Sequence, residues 1–240
     1  LVFSSGSGAI ANAVIANVQS GDHIVCVQSP YSWTYKLLVN FLSKFGVSHT
    51  FVDGTNIAAI EAAIQPNTKV LYLESPNSLR FEIQDLRACA ELAKQHHLVS
   101  IIDNSHCSPI FQNPILLGID IVVHSATKYI NGHSDVVVGV VCSTKQMIRK
   151  IFESEYMTLG GILSPNDAMD KVEAFFGRLN RFLLAVSWGG HESLVLPICA
   201  LYNIPGKENP DLPWNMVRFY IGLENPDLLI ADIKQALEVV

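Results

Sequence analysis

Along the first two-thirds of the chain, short runs of β-branched and apolar residues alternate with longer amphipathic segments. The runs His23 to Gln28, Val47 to Val52, Lys69 to Leu73, Val99 to Ile102, Ile119 to Val123 and Val136 to Cys142 predict strands. Between them, Ala9 to Val18, Tyr35 to Phe45, Ile57 to Ile64 and Leu86 to His96 predict helices, the last with Asp85 as its N-cap. Several strand runs are apolar at consecutive positions, which a strand requires only when both its faces are buried. The pattern therefore predicts an α/β fold with a mostly parallel sheet covered by helices on each side.

The chain of 240 residues is long enough for a large domain and a sizeable core. Hydrophobic residues make up 49% and charged residues 16%, with a mean hydropathy of +0.29, which excludes an intrinsically disordered chain. A net charge of −6 gives no general basic surface for nucleic acid or anionic lipid, so small-molecule chemistry fits better. Cys26, Cys89, Cys107, Cys142 and Cys199 are odd in number and widely spaced, which argues against a disulfide framework or a zinc site and for a reducing cytoplasmic location. No apolar run reaches the roughly 18 residues of a membrane span, so no membrane association is expected. The histidines His96, His97, His106, His124, His133 and His191 show no metal-ligand spacing.

In a parallel sheet covered by helices, ligands bind beyond the carboxyl ends of the strands, so the residues just after each run are the candidates. His124-Ser125-Ala126-Thr127-Lys128-Tyr129 ends one such run. A lysine there, with hydroxyls one and three residues before it, suits an amine that must be desolvated to act as a nucleophile beside an anchored phosphate. That points to pyridoxal phosphate held as a Schiff base on Lys128; a surface lysine after a strand is the alternative that these six residues alone leave standing. Asp103 ends another buried run, where its charge needs a partner such as a protonated pyridine nitrogen, or serves as a turn or helix cap. Ser4-Ser5-Gly6-Ser7-Gly8 leads directly into the first helix and offers backbone amides, hydroxyls and a helix dipole to a phosphate. Arg218 alternates with apolar neighbours on a strand, Met216 to Glu224, where a guanidinium can bind a carboxylate through two parallel hydrogen bonds or face water at a sheet edge.

The ordered set Ser5-Gly6, Tyr31, Asp103 and Ser125-x-Thr127-Lys128, followed by Gly132-His133-Ser134-Asp135, resembles the transsulfuration (Cys/Met metabolism) branch of fold-type I pyridoxal-phosphate enzymes. That branch includes cystathionine γ-synthase, cystathionine β- and γ-lyases and methionine γ-lyase. The resemblance implies a three-layer α/β/α, PLP-dependent transferase-like large domain over residues 1–168 and a partial, smaller α+β domain over 169–240. It implies that Lys128 carries the cofactor, that Asp103 pairs with the pyridinium, that Tyr31 stacks on the ring, and that Gly6, Ser7, Ser125 and Thr127 hold the phosphate. Relatives often have methionine at the position of Ser7; a backbone amide contact survives that change.

Ser187-Trp188-Gly189-Gly190-His191-Glu192-Ser193-Leu194 is similar to the family segment that holds the substrate carboxylate, and tryptophan after the serine is typical of bacterial cystathionine β-lyases. In Glu74-Ser75-Pro76-Asn77-Ser78, Ser78 stands where many γ-acting relatives have asparagine. Both positions imply β-elimination of cystathionine to homocysteine, pyruvate and ammonia, with Ser187, Trp188, Arg218 and Ser78 at the substrate. Burial in a core is the alternative for Trp188. A γ-synthase acting on an activated homoserine is the second function, and a cofactor-binding but inactive fragment the third. The resemblance implies a homodimer or homotetramer. Two departures from the family pattern are expected to matter: the chain starts almost at the phosphate loop, and the pattern skips forward between Ala168 and Met169. An N-terminally truncated, internally shortened chain with an incomplete small domain is the expectation.

Overall fold

A computed structural model describes residues 1–132, 136–163, 173–187, 189–202 and 216–238. Chain contacts divide it into two compact units, Leu1–Ser164 and Pro165–Val240. The inferred boundary at 168/169 lies outside the described residues.

The first unit is built on a seven-stranded sheet. Its strands are β1 (Val2–Phe3), β2 (His23–Val27), β3 (Ser48–Val52), β4 (Thr68–Glu74), β5 (Val99–Asp103), β6 (Ile121–Ser125) and β7 (Gly139–Cys142), in the order β1-β7-β6-β5-β4-β2-β3. The pairs from β3 through β6 are all parallel, while β7 runs antiparallel to β6 and β1 antiparallel to β7. The principal helices are α1 (Gly6–Ile15), α2 (Ser32–Lys36), α3 (Ile57–Ala62), α4 (Leu86–Gln95), α5 (Ser108–Phe111) and α6 (Lys145–Ile151). Helix α2 continues through a π turn and a 3-10 turn to Phe45, where Gly46 closes it in the left-handed conformation.

Strand periodicity sorts the core into two layers. Ile24 and Cys26 of β2, Tyr72 of β4 and Ile121 and Val123 of β6 pack with α1 and α6 residues such as Ala13, Val14 and Ile151. Val25, Val27, Leu71, Leu73 and Val122 point the other way and pack with Ile60 of α3 and Leu86, Cys89, Leu92 and Ala93 of α4. Helix, sheet, helix is therefore the layering, and the two-sided apolar runs are its cause. Helix α4 begins as expected, with the Asp85 side chain accepting a bond from the Ala88 amide at 3.1 Å.

Several element bounds differ from expectation, among them α2, which starts at Ser32 instead of Tyr35, and β6, which spans Ile121–Ser125 instead of Ile119 to Val123. Helix α1 starts at Gly6, not Ala9, because Ser5 acts as N-cap and accepts the Gly8 amide at 3.0 Å, drawing the Gly/Ser run into the first turn. The strand foreseen from Val136 begins at Gly139, since Val138 is tied by its amide and carbonyl to the Thr127 hydroxyl instead of a strand.

Two glycines set how closely α1 approaches the sheet. A Cβ on Gly6 would lie 2.6 Å from Ser125 Cβ, and one on Gly139 would lie 2.1 Å from the Ser5 carbonyl oxygen. Only bare backbone lets the start of α1 press against the ends of β6 and β7.

The second unit holds β8 (Leu183–Leu184), β9 (Leu194–Pro197) and β10 (Val217–Tyr220) in the order β10-β9-β8, with the helix Pro226–Leu237. Phe176, Phe182, Val195 and Leu229 form its core, and Asp232 accepts the amides of Asn180 and Arg181. Leu183, Leu184, Val186, Ile221 and Leu223 are exposed. The central strand β9 is buried along its length, whereas both residues of β8 are exposed.

Two outcomes follow from this packing. Gly6→Ala forces α1 away from Ser125 and is expected to cost about 1–3 kcal/mol in urea unfolding, the range for overpacking a close contact; an unchanged midpoint contradicts the close approach. At the opposite end of the sheet, His23 is buried with Nδ1 at 2.8 Å from the Thr68 hydroxyl and Nε2 at 2.9 Å from the Thr50 hydroxyl. Burial, aided by the His49 charge, holds the ring's pKa below its ordinary value. The unfolded chain takes up this proton below about pH 6.5, so the folded state loses stability as the pH falls from there toward the lowered native value. The stability margin of wild type over His23→Gln is expected to shrink between about pH 7.5 and pH 5.5; a constant margin contradicts it.

Candidate active site

The strand ends named in the sequence come together. A cleft of about 840 Å3 is lined by Gly6, Tyr31, Ser78, Asp103, Ser125, Thr127 and Lys128, together with Glu74, Ser105 and Tyr129. Glu74, Asp103 and Ser125 are the last residues of β4, β5 and β6, so the cleft lies at the carboxyl edge of the parallel sheet. Ser7 lines a separate hollow of about 270 Å3 with Trp33, Lys36 and Phe41.

One part of the lining is rich in backbone donors. The first amides of a helix have no intrahelical acceptor, and the Ser5 side chain satisfies that of Gly8. The amides of Gly6 and Ser7 remain in the first turn of α1, and Gly6 packs on Ser125. The Ser125 amide donates to the Ser105 hydroxyl at 2.6 Å. Thr127 does more than face the cleft: its hydroxyl donates to the Val138 carbonyl at 3.1 Å and accepts the Val138 amide at 2.9 Å, bracing the segment between β6 and β7.

Two carboxylates stand side by side, since Glu74 and Asp103 are register partners across β4 and β5. Both are buried, at 3% and 7% exposure. The Asp103 carboxylate accepts the Ser105 amide at 2.9 Å and the Ser105 hydroxyl at 2.5 Å, both on Oδ1. This is an Asx turn, so the local turn reading of Asp103 and its place in the cleft hold together. Burial raises its pKa, against the pull of the two Ser105 bonds. Glu74 is likewise pushed up by burial and by the Asp103 charge, while bonds from Ser78 and Tyr31 oppose the shift. Among the described residues, no ion pair neutralises either acid. Two buried acids that no described cation pairs with leave the cleft suited to a cationic group from outside.

Sequence reasoning did not single out Glu74 or Ser105. Glu74 stood inside a quoted motif, and its position at the end of a buried run, the argument applied to Asp103, was the available signal. Ser105 had none beyond its place two residues after Asp103.

Lys128 follows β6 by three residues, within a turn, and it is exposed. The desolvated amine foreseen from the strand end is not what the chain's own described residues provide: β6 runs to Ser125, two residues past the expected Val123, yet the turn after it carries Lys128 out to the cleft surface. Tyr129 beside it meets the His106 ring edge-on at 5.9 Å, and His106 meets Phe81 at 5.4 Å. His133, Ser134 and Asp135 of the quoted motif lie outside the described residues, as does Trp188.

Arg218 sits on β10 in the second unit and is half-buried. Its Nη2 donates to the carbonyls of Val186 and Ser187, the latter at 3.0 Å, while its Nε is buried without a partner among the described residues. Ser187 is exposed, and its carbonyl serves to hold Arg218. The remaining guanidinium donors suit an incoming carboxylate.

Among the described residues, no helix is long and apolar enough to cross a membrane. The family model for "Cys/Met metabolism PLP-dependent enzyme" matches residues 1–172 and 168–238. A cystathionine gamma-lyase of Bacillus subtilis is 31% identical over 308 residues, covering 98% of this chain and 81% of that protein. That alignment is longer than the 240-residue chain, and the family match breaks where the sequence pattern skips forward. The cystathionine beta-lyase MetC of Staphylococcus haemolyticus is 39% identical over 166 residues, 69% of this chain but only 42% of that protein. The solved cystathionine gamma-lyase of Lactobacillus plantarum, complexed with L-serine, superposes with a TM-score of 0.65 at 30% identity, covering 100% of this chain and 82% of that one. Matched over nearly its whole length, and with its sheet-edge cleft, the chain belongs to the Cys/Met metabolism family of PLP-dependent enzymes, whose cofactor is pyridoxal 5'-phosphate.

Proposed function

We propose that this chain is a carbon–sulfur lyase that cleaves cystathionine by β-elimination to homocysteine, pyruvate and ammonia. The observation that supports it most is the single cleft shared by Gly6, Tyr31, Asp103, Ser125, Thr127 and Lys128. Those residues fit the cofactor. A buried carboxylate with no ion-pair partner among the described residues suits a protonated ring nitrogen, and a glycine pressed against Ser125 beside helix amides suits a phosphate. Ser7 adds its α1 amide, and Tyr31 offers its ring as a stacking surface.

When bound, pyridoxal phosphate supplies an electron sink for the bond-breaking at the substrate's α-carbon. The chain's residues do the rest. Lys128 Nζ would hold the cofactor and would take the substrate's Cα proton; its exposure on the cleft surface leaves it room to move between these tasks. Asp103 keeps the ring nitrogen protonated. Arg218, with Ser187 and Trp188, takes the substrate carboxylate, and Ser78 meets the substrate from the loop after β4. The working enzyme is a homodimer or homotetramer.

The β-specificity rests on Ser187-Trp188 and Ser78. A second reading, γ-cleavage to cysteine and 2-oxobutyrate, is favoured by the similarity to the Bacillus subtilis cystathionine gamma-lyase. Product analysis separates them: purified protein supplied with pyridoxal phosphate and cystathionine is expected to release pyruvate and homocysteine. Release of 2-oxobutyrate and cysteine overturns the β assignment, and no keto acid at all leaves a cofactor-binding chain without turnover. Lys128→Ala is expected to abolish the visible band of the bound cofactor and to lower turnover at least about 100-fold, the scale of a lost general base; an unchanged spectrum contradicts the role of Lys128.

A further inference from the structure

The two buried acids at the sheet edge are bonded differently. The two Ser105 bonds to Asp103 fall on the same oxygen. Glu74 receives donors on both oxygens: the Tyr31 amide at 2.7 Å on Oε2, and the Ser78 amide at 2.6 Å and hydroxyl at 2.5 Å on Oε1. These three bonds reach into two loops, 43 residues and 4 residues away in sequence. Glu74 itself is fixed, as the last residue of a central strand with parallel neighbours on both sides of β4.

We infer that Glu74 is a positioning residue: its carboxylate ties the start of α2 to the loop after β4, setting the Tyr31 ring against the cofactor and Ser78 against the amino-acid substrate. Three considerations carry this. Bonds from neutral donors to a carboxylate are the stronger kind, and here all lie at or below 2.7 Å. Tyr31 is the N-cap residue of α2, so its amide, donating to Glu74, ties the start of that helix to the end of β4. A carboxylate is also the one group of this size that accepts on both arms. Glutamine would present an N–H2 either to the Tyr31 amide or to the Ser78 amide, donor against donor. The inference deepens the proposed function and rests on it, since it concerns how the same cleft is held in shape.

The test compares wild type and Glu74→Gln by titrating each apoprotein with pyridoxal phosphate. Visible absorbance reads affinity, and visible circular dichroism reads how rigidly the cofactor is held. The variant is expected to bind at least about tenfold more weakly, the factor for a lost bond to a charged acceptor, with a reduced dichroic band. Its KM for cystathionine is expected to rise, because Ser78 is released as well. Affinity within about twofold of wild type, with the same dichroic band, overturns the inference even if the variant melts earlier, because a merely structural role would move only the melting temperature. Wild type that takes up no pyridoxal phosphate overturns the proposed function instead. Should Glu74→Gln fail to fold, hydrogen exchange on wild type decides. The Tyr31 and Ser78 amides are expected to exchange at least about tenfold slower than the intrinsic rate of a free loop, and exchange at that intrinsic rate overturns the inference.

Discussion

A parallel sheet sealed by helices on both faces has only its strand ends open to water, and that constraint organises the whole first unit. Strands β3, β2, β4, β5 and β6 all point the same way, so their carboxyl ends share one edge. Ile24 and Cys26 face one helical layer while Val25 and Val27 face the other, so apolar side chains dominate the strands, with a few buried polar exceptions such as Ser100 and His124. Polar groups therefore appear where each strand stops: Glu74, Asp103 and Ser125. Parallel pairing converts positions 74, 103 and 125, far apart in sequence, into one cleft lining.

Burial gives those groups their character. An acid at the edge of a sheet is only partly solvated, so burial raises the pKa of both Asp103 and Glu74, and the Asp103 charge adds to the rise at Glu74. The fold answers each differently. Glu74 is satisfied by the chain on both oxygens, whereas the donors from Ser105 crowd onto one oxygen of Asp103. Electrostatics thus separates a carboxylate that holds the cleft together from one suited to an external cation. Close backbone approach completes the arrangement, because Gly6 and Gly139 let the start of α1 touch Ser125 and β7.

Much of this was legible in the sequence. Two-sided apolar runs gave the sheet, and the rule that ligands bind at carboxyl ends pointed to Asp103, Ser125 and Lys128. Three features were not legible, each for a physical reason. The start of α1 depends on a single side-chain cap by Ser5, which pulled a glycine-rich run into the helix. The surroundings of Lys128 depend on where β6 stops, and the stop at Ser125 is set by the turn that Thr127 braces on Val138. Glu74 is a long-range anchor whose partner, the Tyr31 amide, leaves no trace in side-chain pattern. In the second unit, Arg218 fell on a strand as its alternation implied, but its carbonyl partners Val186 and Ser187 come from a segment without periodicity.

The proposed role of Lys128 is to carry the cofactor at the sheet edge. Borohydride reduction of the protein incubated with pyridoxal phosphate, followed by proteolysis and tandem mass spectrometry, tests it most directly. A phosphopyridoxyl group is expected on the peptide containing Ser125-Ala126-Thr127-Lys128, attached at Lys128. Attachment to another lysine, or none at all in a folded protein, would contradict it.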